Sequence, residues 1–375
     1  MADGVPNWNK TAEDVKLLTE NVDTFFLTVF GSIVFFMHCG FAYLEAGSIR
    51  TKNFTNTVMK NLMDSGIGVL VYWAVGFAFA FGKGNPFIGL SYFFFDNLSA
   101  QEYAFFYFEF TFAAACTTTI SGALAERLAF LPYILYSAAM TGFIYPVISH
   151  WVWTEEGWLN SGPGISGVTM QDFAGSGVVH MAGGTVGLVG AVLLGPRLGR
   201  FDEQGRPRQI VQPTIPYIAL GTFILVFGFM AFNGGSALTL SKRGDNVVVA
   251  HSIICTVVSV GASSTTTMAV VRLFGSTKQW NFTLVCNGAL AGAVSICAGC
   301  DVIPTWSALI IGCIASLTYL AWSWLVLKLR IDDPVDAVAV HLGAGTWGII
   351  AAPLFSKTKG VFFNFNRFGF TVICA

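Results

Sequence analysis

The segment DFAGSGVVHMAGG, residues 172–184, has a counterpart much later in the chain: DPVDAVAVHLGAG, residues 333–345. Each segment begins with Asp, reaches a His after seven intervening residues in an apolar setting, and ends in small residues. The chain has 375 residues but only 5 histidines, so two of them in the same local pattern call for an explanation. The surroundings of the two segments decide both the fold and the chemistry.

Composition indicates a lipid environment. Hydrophobic residues make up 54% of the chain, charged residues only 11%, and the mean hydropathy is +0.65, whereas soluble domains are about 25% charged. The sequence therefore predicts a polytopic membrane protein in a lipid bilayer. The net charge of -1 and the scattered Lys and Arg give no sign of a nucleic-acid partner. Residues 1–23 are polar, so no cleavable signal peptide is expected.

Apolar runs long enough to span a bilayer, about 20 residues each, predict an all-α bundle. They lie near residues 24–46, 62–82, 103–125, 130–151, 174–196, 213–236, 247–271, 282–300, 303–327 and 335–355. We interpret residues 1–375 as a single integral membrane domain. The last residues, FGFTVICA, begin another apolar run that is too short to cross. We therefore expect residues 356–375 to be an extracellular loop and the truncated start of a final, eleventh helix that is otherwise missing.

The distribution of Lys and Arg predicts the orientation of the spans, because cytoplasmic connections are enriched in these residues. The connections after spans one, three, five, seven and nine are the richer ones, and include Arg50, Arg127, Arg197, Arg272 and Lys328. The opposite connections carry few basic residues. This pattern predicts a cytoplasmic location for the first set and an N-terminus outside.

The two Asp-x7-His segments then enter the membrane from opposite sides, the first opening span five and the second opening span ten. At 1.5 Å per residue, each His lies about 12 Å inward from its Asp, near the middle of a core about 30 Å thick. This geometry predicts two five-helix inverted repeats, residues 23–196 and 213–355, around a central pore with a site at the midplane. A second pair of similar segments, GFAYLEAGS at 40–48 and GFMAFNGGS at 228–236, supports the repeat.

An ionisable residue inside a membrane is by default a functional-site hypothesis, so His180 and His341 are the leading candidates. The simpler alternative is a buried His that bonds a backbone carbonyl. Burial favours neutral rings, which can share a proton and offer one donor and one acceptor to a small molecule. No carboxylate or Cys lies near either His at the same depth, which argues against a metal site, although a haem between the rings stays open.

Asp172 and Asp333 lie at the starts of their spans. The simplest role for them is N-capping of the helix, and Asp172 could also attract a cation. The pair Cys297 and Cys300 has no second pair or nearby His at zinc-type spacing, so no metal is expected there.

The same motifs resemble the signature of the ammonium transporter family (Amt/Mep/Rh), in its plant and animal ammonium-transporter branch. The resemblance rests on DFAGSGVVHMAGGTVGLVGA with GPRLGRF after it, on GALAER at 122–127, on FNGGS at 232–236 and on DDPVDAVAVHLGAGTWG at 332–348. These segments occur in the family's order and cover nearly the whole chain. The chain departs from the family at its end, where members have an eleventh helix and a charged tail.

The resemblance implies a role for particular residues. His180 and His341 are similar to the twin histidines that line the family's pore, and Phe112 and Phe232 to its gate. Trp153 and Ser236, together with Phe112, resemble the outer site that recruits ammonium, with Asp172 supporting it; Asp333 is the corresponding supporting residue in the second segment. Family members are homotrimers without a cofactor.

The sequence thus predicts a non-enzymatic plasma-membrane transporter that recruits ammonium at an aromatic site and deprotonates it before passage along the histidines. Two other functions are open: an ammonium sensor without transport, and an intramembrane haem or redox protein. Uptake measurements distinguish the first from transport, and a Soret band would reveal the second.

Overall fold

The computed structural model describes residues 8–161, 169–275 and 278–363, and within them ten helices form one bundle. The helices are α1 Trp8–Ser48, α2 Thr51–Phe81, α3 Tyr103–Leu124, α4 Phe130–Trp153, α5 Ser176–Leu194, α6 Ile215–Gly235, α7 Asp245–Phe274, α8 Phe282–Ile296, α9 Thr305–Lys328 and α10 Val338–Phe355. A two-stranded hairpin, β1 Gly84–Asn85 and β2 Ile88–Gly89, lies in the connection between α2 and α3.

Eight of these helices are long and apolar enough to cross a membrane by length and composition. The other two are α3, which has 22 residues and is buried along most of its length, and α8, which has 15 residues. The prediction of an all-α, multi-pass membrane bundle is confirmed. The predicted apolar run at 368–375 lies outside the described residues.

The largest differences from the predicted spans are at the starts of α1 and α2. Helix α1 begins at Trp8 rather than near Thr24, because the polar segment that precedes the apolar run has no Gly or Pro to stop a helix. Residues 11–18 of this extension are exposed. Helix α2 begins at Thr51, so Lys60, expected in a connection, lies inside a helix and is buried. Hydropathy identifies the apolar part of a helix but does not show at which residue the helix begins.

Helix α8 ends at Ile296, although the apolar run continues to residue 300. Beyond the helix, the carbonyl groups of Cys297 and Ala298 accept hydrogen bonds from the backbone of Ala174 and Phe173, at 3.0 and 3.1 Å. The carbonyls that could have extended the helix are thus used by the segment that leads into α5. The sequence gives no local sign of this long-range exchange.

Helices α1–α5 and α6–α10 pack in the same pattern. In each half the first helix contacts the third, the third contacts the fifth, and the second contacts the fourth. The two halves meet where α1 lies along α6 and where α5 contacts α10. Helices α5 and α10 are the ones that contain the two histidine segments. The contact between them therefore brings those segments together.

Ion pairs join four of the loops that the sequence predicts to be cytoplasmic, namely those after α1, α3, α5 and α9. Arg197 contacts Glu126 at 3.1 Å and Asp332 at 2.8 Å, and Arg50 also pairs with Glu126. Burial alone would raise the pKa of Asp332 and of Glu126, but the hydrogen bonds and charges of their arginine partners outweigh it and hold both pKa values below their ordinary range. These connections therefore lie together at one end of the bundle.

Candidate functional site

The two histidines of the repeated segments are in direct contact. The Nδ1 atoms of His180 and His341 are 3.2 Å apart, and the rings are stacked with centroids 5.2 Å apart and an interplanar angle of 25°. By contrast, His38, His150 and His251 each bond a backbone carbonyl. The carbonyl-bonded alternative thus describes three of the five histidines, and the two in the repeated segments bond each other.

Both histidines lie in a π-helical turn at the start of a helix. The first turn spans Ser176–Met181 and the second spans Val338–Gly343. Such turns are uncommon and occur frequently at functional sites. They widen the helix locally, and here each one directs its ring toward the other. His180 and His341 are both buried, with 1% and 5% of their surface exposed.

The aspartates of the two segments cap these turns. An Oδ2 oxygen of Asp172 accepts hydrogen bonds from the backbone N–H groups of Gly177 and Val178 at 2.9 Å each. In the second segment, Oδ2 of Asp333 accepts one from the N–H of Val338 at 2.7 Å. In both segments the carboxylate satisfies N–H groups that have no partner within the helix.

The small residues that end each segment let the two helices approach closely. A methyl group added at Gly184 would lie 2.3 Å from the backbone nitrogen of Leu342. A methyl group added at Gly345 would lie 2.6 Å from the carbonyl oxygen of Ser176 and 3.1 Å from the nitrogen of Met181. Gly184 and Gly345 are equivalent positions in the two segments, and so are Met181 and Leu342. The contact is therefore reciprocal, and only glycine permits it on either side.

On one side of the histidines, aromatic rings continue the row. The rings of Phe232 and His180 have centroids 5.4 Å apart, and Phe112 stacks on Phe232 at 4.0 Å with an interplanar angle of 25°. Trp153 follows, edge-on to Phe112 at 6.0 Å. Because Phe112 and Phe232 are buried and in contact, no open channel runs between them.

Polar contacts hold the far end of this row. The indole N–H of Trp153 donates to the backbone carbonyl of Asp172 at 2.7 Å, so the capping residue of α5 also orients the Trp. The hydroxyl of Ser236 donates to the carbonyl of Phe232 at 2.9 Å, one turn earlier in α6. The structure thus brings Trp153, Phe112, Phe232 and Ser236 to the same side of the histidine pair.

Two further aromatic residues flank the histidines, and the sequence analysis did not identify them. Phe41 of α1 lies 6.3 Å from the ring of His341, and Phe229 of α6 lies 5.5 Å from the ring of His180. These phenylalanines occupy the same position in the repeated segments GFAYLEAGS and GFMAFNGGS. The alignment of those segments was the available signal.

A cavity lies on the other side of the histidine pair, toward the end of the bundle that carries the ion pairs. Its wall is mostly apolar and contains a few polar groups. The residues that line it include Phe41, Glu45, Thr118, Gly122, Asn287 and His341. The histidine pair thus lies between the rings of Phe232, Phe112 and Trp153 on one side and this cavity, which we call the inner cavity, on the other.

The facing histidine nitrogens do not fit a haem. An iron held between them would need two Fe–N bonds of about 2 Å each, whereas Nδ1 of His180 and Nδ1 of His341 are only 3.2 Å apart. Within the described residues, no group of three or more His, Cys, Asp or Glu is arranged to hold a metal. The thiol of Cys297, just beyond the end of α8, donates to the carbonyl of Ala293 in that helix at 3.1 Å.

Comparison with known proteins gives consistent results. The model of the Ammonium Transporter Family matches residues 25–371. Putative ammonium transporter 1 of Caenorhabditis elegans is 45% identical in an alignment 345 residues long, which covers 90% of this chain and 64% of that protein. Ammonium transporter 1 member 3 of Solanum lycopersicum is 40% identical over 93% of this chain and 78% of that protein. The chain thus spans about two thirds of the worm protein's length.

Solved structures share the fold. A protein described as Sensor Amt Protein superposes with a TM-score of 0.85 at 31% identity, covering 96% of this chain and 90% of that one. Mep2 of Saccharomyces cerevisiae superposes with a TM-score of 0.79 at 26% identity, covering 91% and 75%.

Proposed function

The chain belongs to the ammonium transporter family, and on that premise we propose that it moves ammonium or ammonia across a membrane along its row of rings. The observation that carries the proposal is the direct Nδ1 contact between His180 and His341, at 3.2 Å, next to a stacked aromatic pair. Different residues along this row recruit the cation, exclude water and select the species that crosses.

Recruitment takes place at Trp153, Phe112 and Ser236, with Asp172 supporting from behind. A cation over an aromatic face gains about 2 kcal/mol when desolvated. The carbonyl of Asp172 orients the indole of Trp153 through a bond of 2.7 Å, which supports a fixed outer site. Moving bare ammonium into a dry passage costs tens of kcal/mol, so these contacts recruit the ion and do not carry it through.

Phe112 and Phe232 act as the gate. Their centroids are 4.0 Å apart, a separation that leaves no room for a hydrated ion. Ammonium can give up its proton to water on the Trp153 side and pass the rings as ammonia, which takes up a proton from water again on the far side, whereas Na⁺ and K⁺ have no proton to give up. Selectivity then depends on chemistry as well as on size.

The histidine pair receives the ammonia. With one Nδ1 donating to the other, each ring keeps its Nε2 for a small molecule. Nε2 of His180 has no hydrogen-bond partner within the described residues, which supports a ring available to substrate. Asp172 and Asp333 support the pair by capping the turns that hold the histidines.

We further propose an inverted repeat, residues 23–196 and 213–355, whose pseudo-twofold axis lies between the two histidines. Reciprocal contacts support it: Phe41 of the first half contacts His341 of the second, and Phe229 of the second half contacts His180 of the first. The protein acts as a homotrimer in the plasma membrane with its N-terminus outside. Loops joined by the ion pairs of Arg197 face the cytoplasm.

The experiment compares His180→Ala and His341→Ala with wild type in a transport-null cell at matched surface expression. Ammonium-evoked current, K⁺-evoked current and methylammonium uptake are recorded. We expect loss of ammonium transport or gain of K⁺ conductance in both variants, because the passage without the ring either closes or becomes wide enough for a hydrated cation. His251→Ala, which removes a histidine bonded to a carbonyl, is the control. Unchanged ammonium flux with unchanged K⁺ exclusion in both variants removes the pair from the mechanism, and absence of uptake by the wild type favours the sensor.

A further inference from the structure

A buried carboxylate in the wall of the inner cavity has an oxygen without a partner. Only 1% of the surface of Glu45 is exposed, and the residue lines the cavity beside His341. Its Oε2 accepts hydrogen bonds from Asn61 and Ser121, both at 3.0 Å. Within the described residues, Oε1 has no hydrogen-bond partner. A buried polar atom without a partner is costly, so this oxygen calls for an occupant.

Glu45 borders the cavity together with Gly122 and His341. The two hydrogen bonds to Oε2 fix that oxygen and leave Oε1 as the oxygen of Glu45 without a partner in the described part of the chain. The wall around it is closely packed, since a methyl group added at Gly122 would lie 2.5 Å from a methyl carbon of Val335 and 3.9 Å from Oε1 of Glu45. Any occupant that reaches Oε1 must therefore be small and must come from the cavity.

Within the described residues, no Lys or Arg forms a direct ion pair with Glu45. The ammonium group of Lys60 on α2 interacts with Glu45 only through space, because it donates its hydrogen bond to the carbonyl of Leu128. The second buried carboxylate of this region, Asp64, is fully bonded by Thr118 and Ser137. Glu45 therefore differs from Asp64 in having both an unpaired oxygen and access to the cavity.

The internal repeat has no equivalent carboxylate on the other side of the histidines. In the alignment of GFAYLEAGS with GFMAFNGGS, Asn233 occupies the position of Glu45. Asn233 is fully buried, and its amide N–H donates to Thr256 at 2.8 Å. Of the aligned pair, only Glu45 has a side chain that can become negative when a cation is beside it, and Glu45 is the member that lines the inner cavity.

We propose that Glu45 is the anionic ligand of an inner site for ammonium and its methylated analogues. Ammonium would donate one N–H to Oε1 of Glu45, while the face of Phe41 and the imidazole of His341 lie in the same cavity. K⁺ needs a shell of several oxygens, which this largely apolar wall does not supply. The inference rests on the proposed function and adds a second, inner site to it.

The test is Glu45→Gln in the full-length protein, with Glu109→Gln as the matched control. Glu109 is also a buried carboxylate, 5% exposed, but does not line the inner cavity. Half-saturating ammonium is measured separately from each face by currents in excised patches. Because a hydrogen bond to a charged group is lost, we expect Glu45→Gln to raise the cytoplasmic half-saturating concentration about tenfold or more. The outer value, and both values in Glu109→Gln, should stay within about twofold.

An unchanged cytoplasmic value in a folded Glu45→Gln protein overturns the site. A direct measurement on the wild type keeps the inference falsifiable if that variant does not fold. A structure of the wild-type protein in methylammonium should contain density within hydrogen-bond distance of Oε1, and absence of such density at saturating concentration overturns the site. If the wild type conducts no ammonium but methylammonium occupies the position, the transport proposal fails and the site stands.

Discussion

Gly184→Ala is the sharpest test of how α5 and α10, the helices that contain the histidine pair, are held together. The added methyl group would lie 2.3 Å from the backbone nitrogen of Leu342 and 2.9 Å from its Cα. Non-bonded heavy atoms settle at about 3.5 Å or more, so α5 and α10 must separate by roughly 1 Å. The atom in the way belongs to the backbone, and side-chain rotation cannot relieve the clash.

The separation acts directly on the histidine pair. The Nδ1 atoms of His180 and His341 are 3.2 Å apart, and an increase of roughly 1 Å takes them beyond hydrogen-bond range. Overpacking of this kind costs about 1–3 kcal/mol, which outweighs the gain of at most about 1 kcal/mol from replacing a helical glycine with alanine. We expect a lower Tm and an ammonium flux reduced about tenfold.

The matched control is Gly261→Ala. Gly261 lies within α7, and a methyl group added there meets no atom within 4 Å. Both variants are measured by methylammonium uptake at matched surface expression and by thermal unfolding in detergent. Equal flux and equal Tm for Gly184→Ala and Gly261→Ala would refute the claim that close approach of α5 and α10 holds the pair.

Three further predictions concern stability, topology and the gate. The pKa values of Asp332 and Glu126 are lowered in the folded protein, so their ion pairs stabilise it above the unfolded values of about 4. That stability is lost as pH falls below 4 through the lowered values; Tm against pH should show this fall, and Asp332→Asn should reduce it. In cells, glycosylation mapping should find sugar at Asn97, which is exposed in the connection between α2 and α3, and none at Asn53, which bonds Glu126; modified Asn53 would reverse the proposed orientation. Phe112→Ala should raise the half-saturating ammonium concentration several-fold by removing one cation-π face, and an unchanged value argues against recruitment there.

Local patterns in the sequence were sufficient for most of the fold. Ten apolar runs predicted ten helices, because a bilayer demands long apolar segments with internally satisfied backbones. The residues at which the helices begin and end were harder to predict. The start of α1 at Trp8 depends on helical propensity in polar sequence, and the end of α8 at Ile296 depends on hydrogen bonds to a distant segment.

In the candidate site too, some residues could be predicted from local sequence and others could not. The repeated Asp-x7-His pattern singled out His180 and His341, which the structure brings into contact. Their neighbours Phe41 and Phe229 were not identified, because 35 phenylalanines make any one of them unremarkable in sequence. Glu45 was missed for a related reason, since one carboxylate in an apolar run carries no information about which cavity it lines.

The ion-pair network has a consequence for how the passage opens. Glu126 joins Arg50 to Arg197, and Asp332 joins Arg197 to Arg127, so shared charges link the two halves at this end of the bundle. Rocking one half against the other would break the pairs that Asp332 of the second half forms with Arg127 and Arg197. Rotation of the stacked phenyl rings breaks none of them. We therefore expect conduction to depend on rotation of these rings and to vary little with membrane thickness.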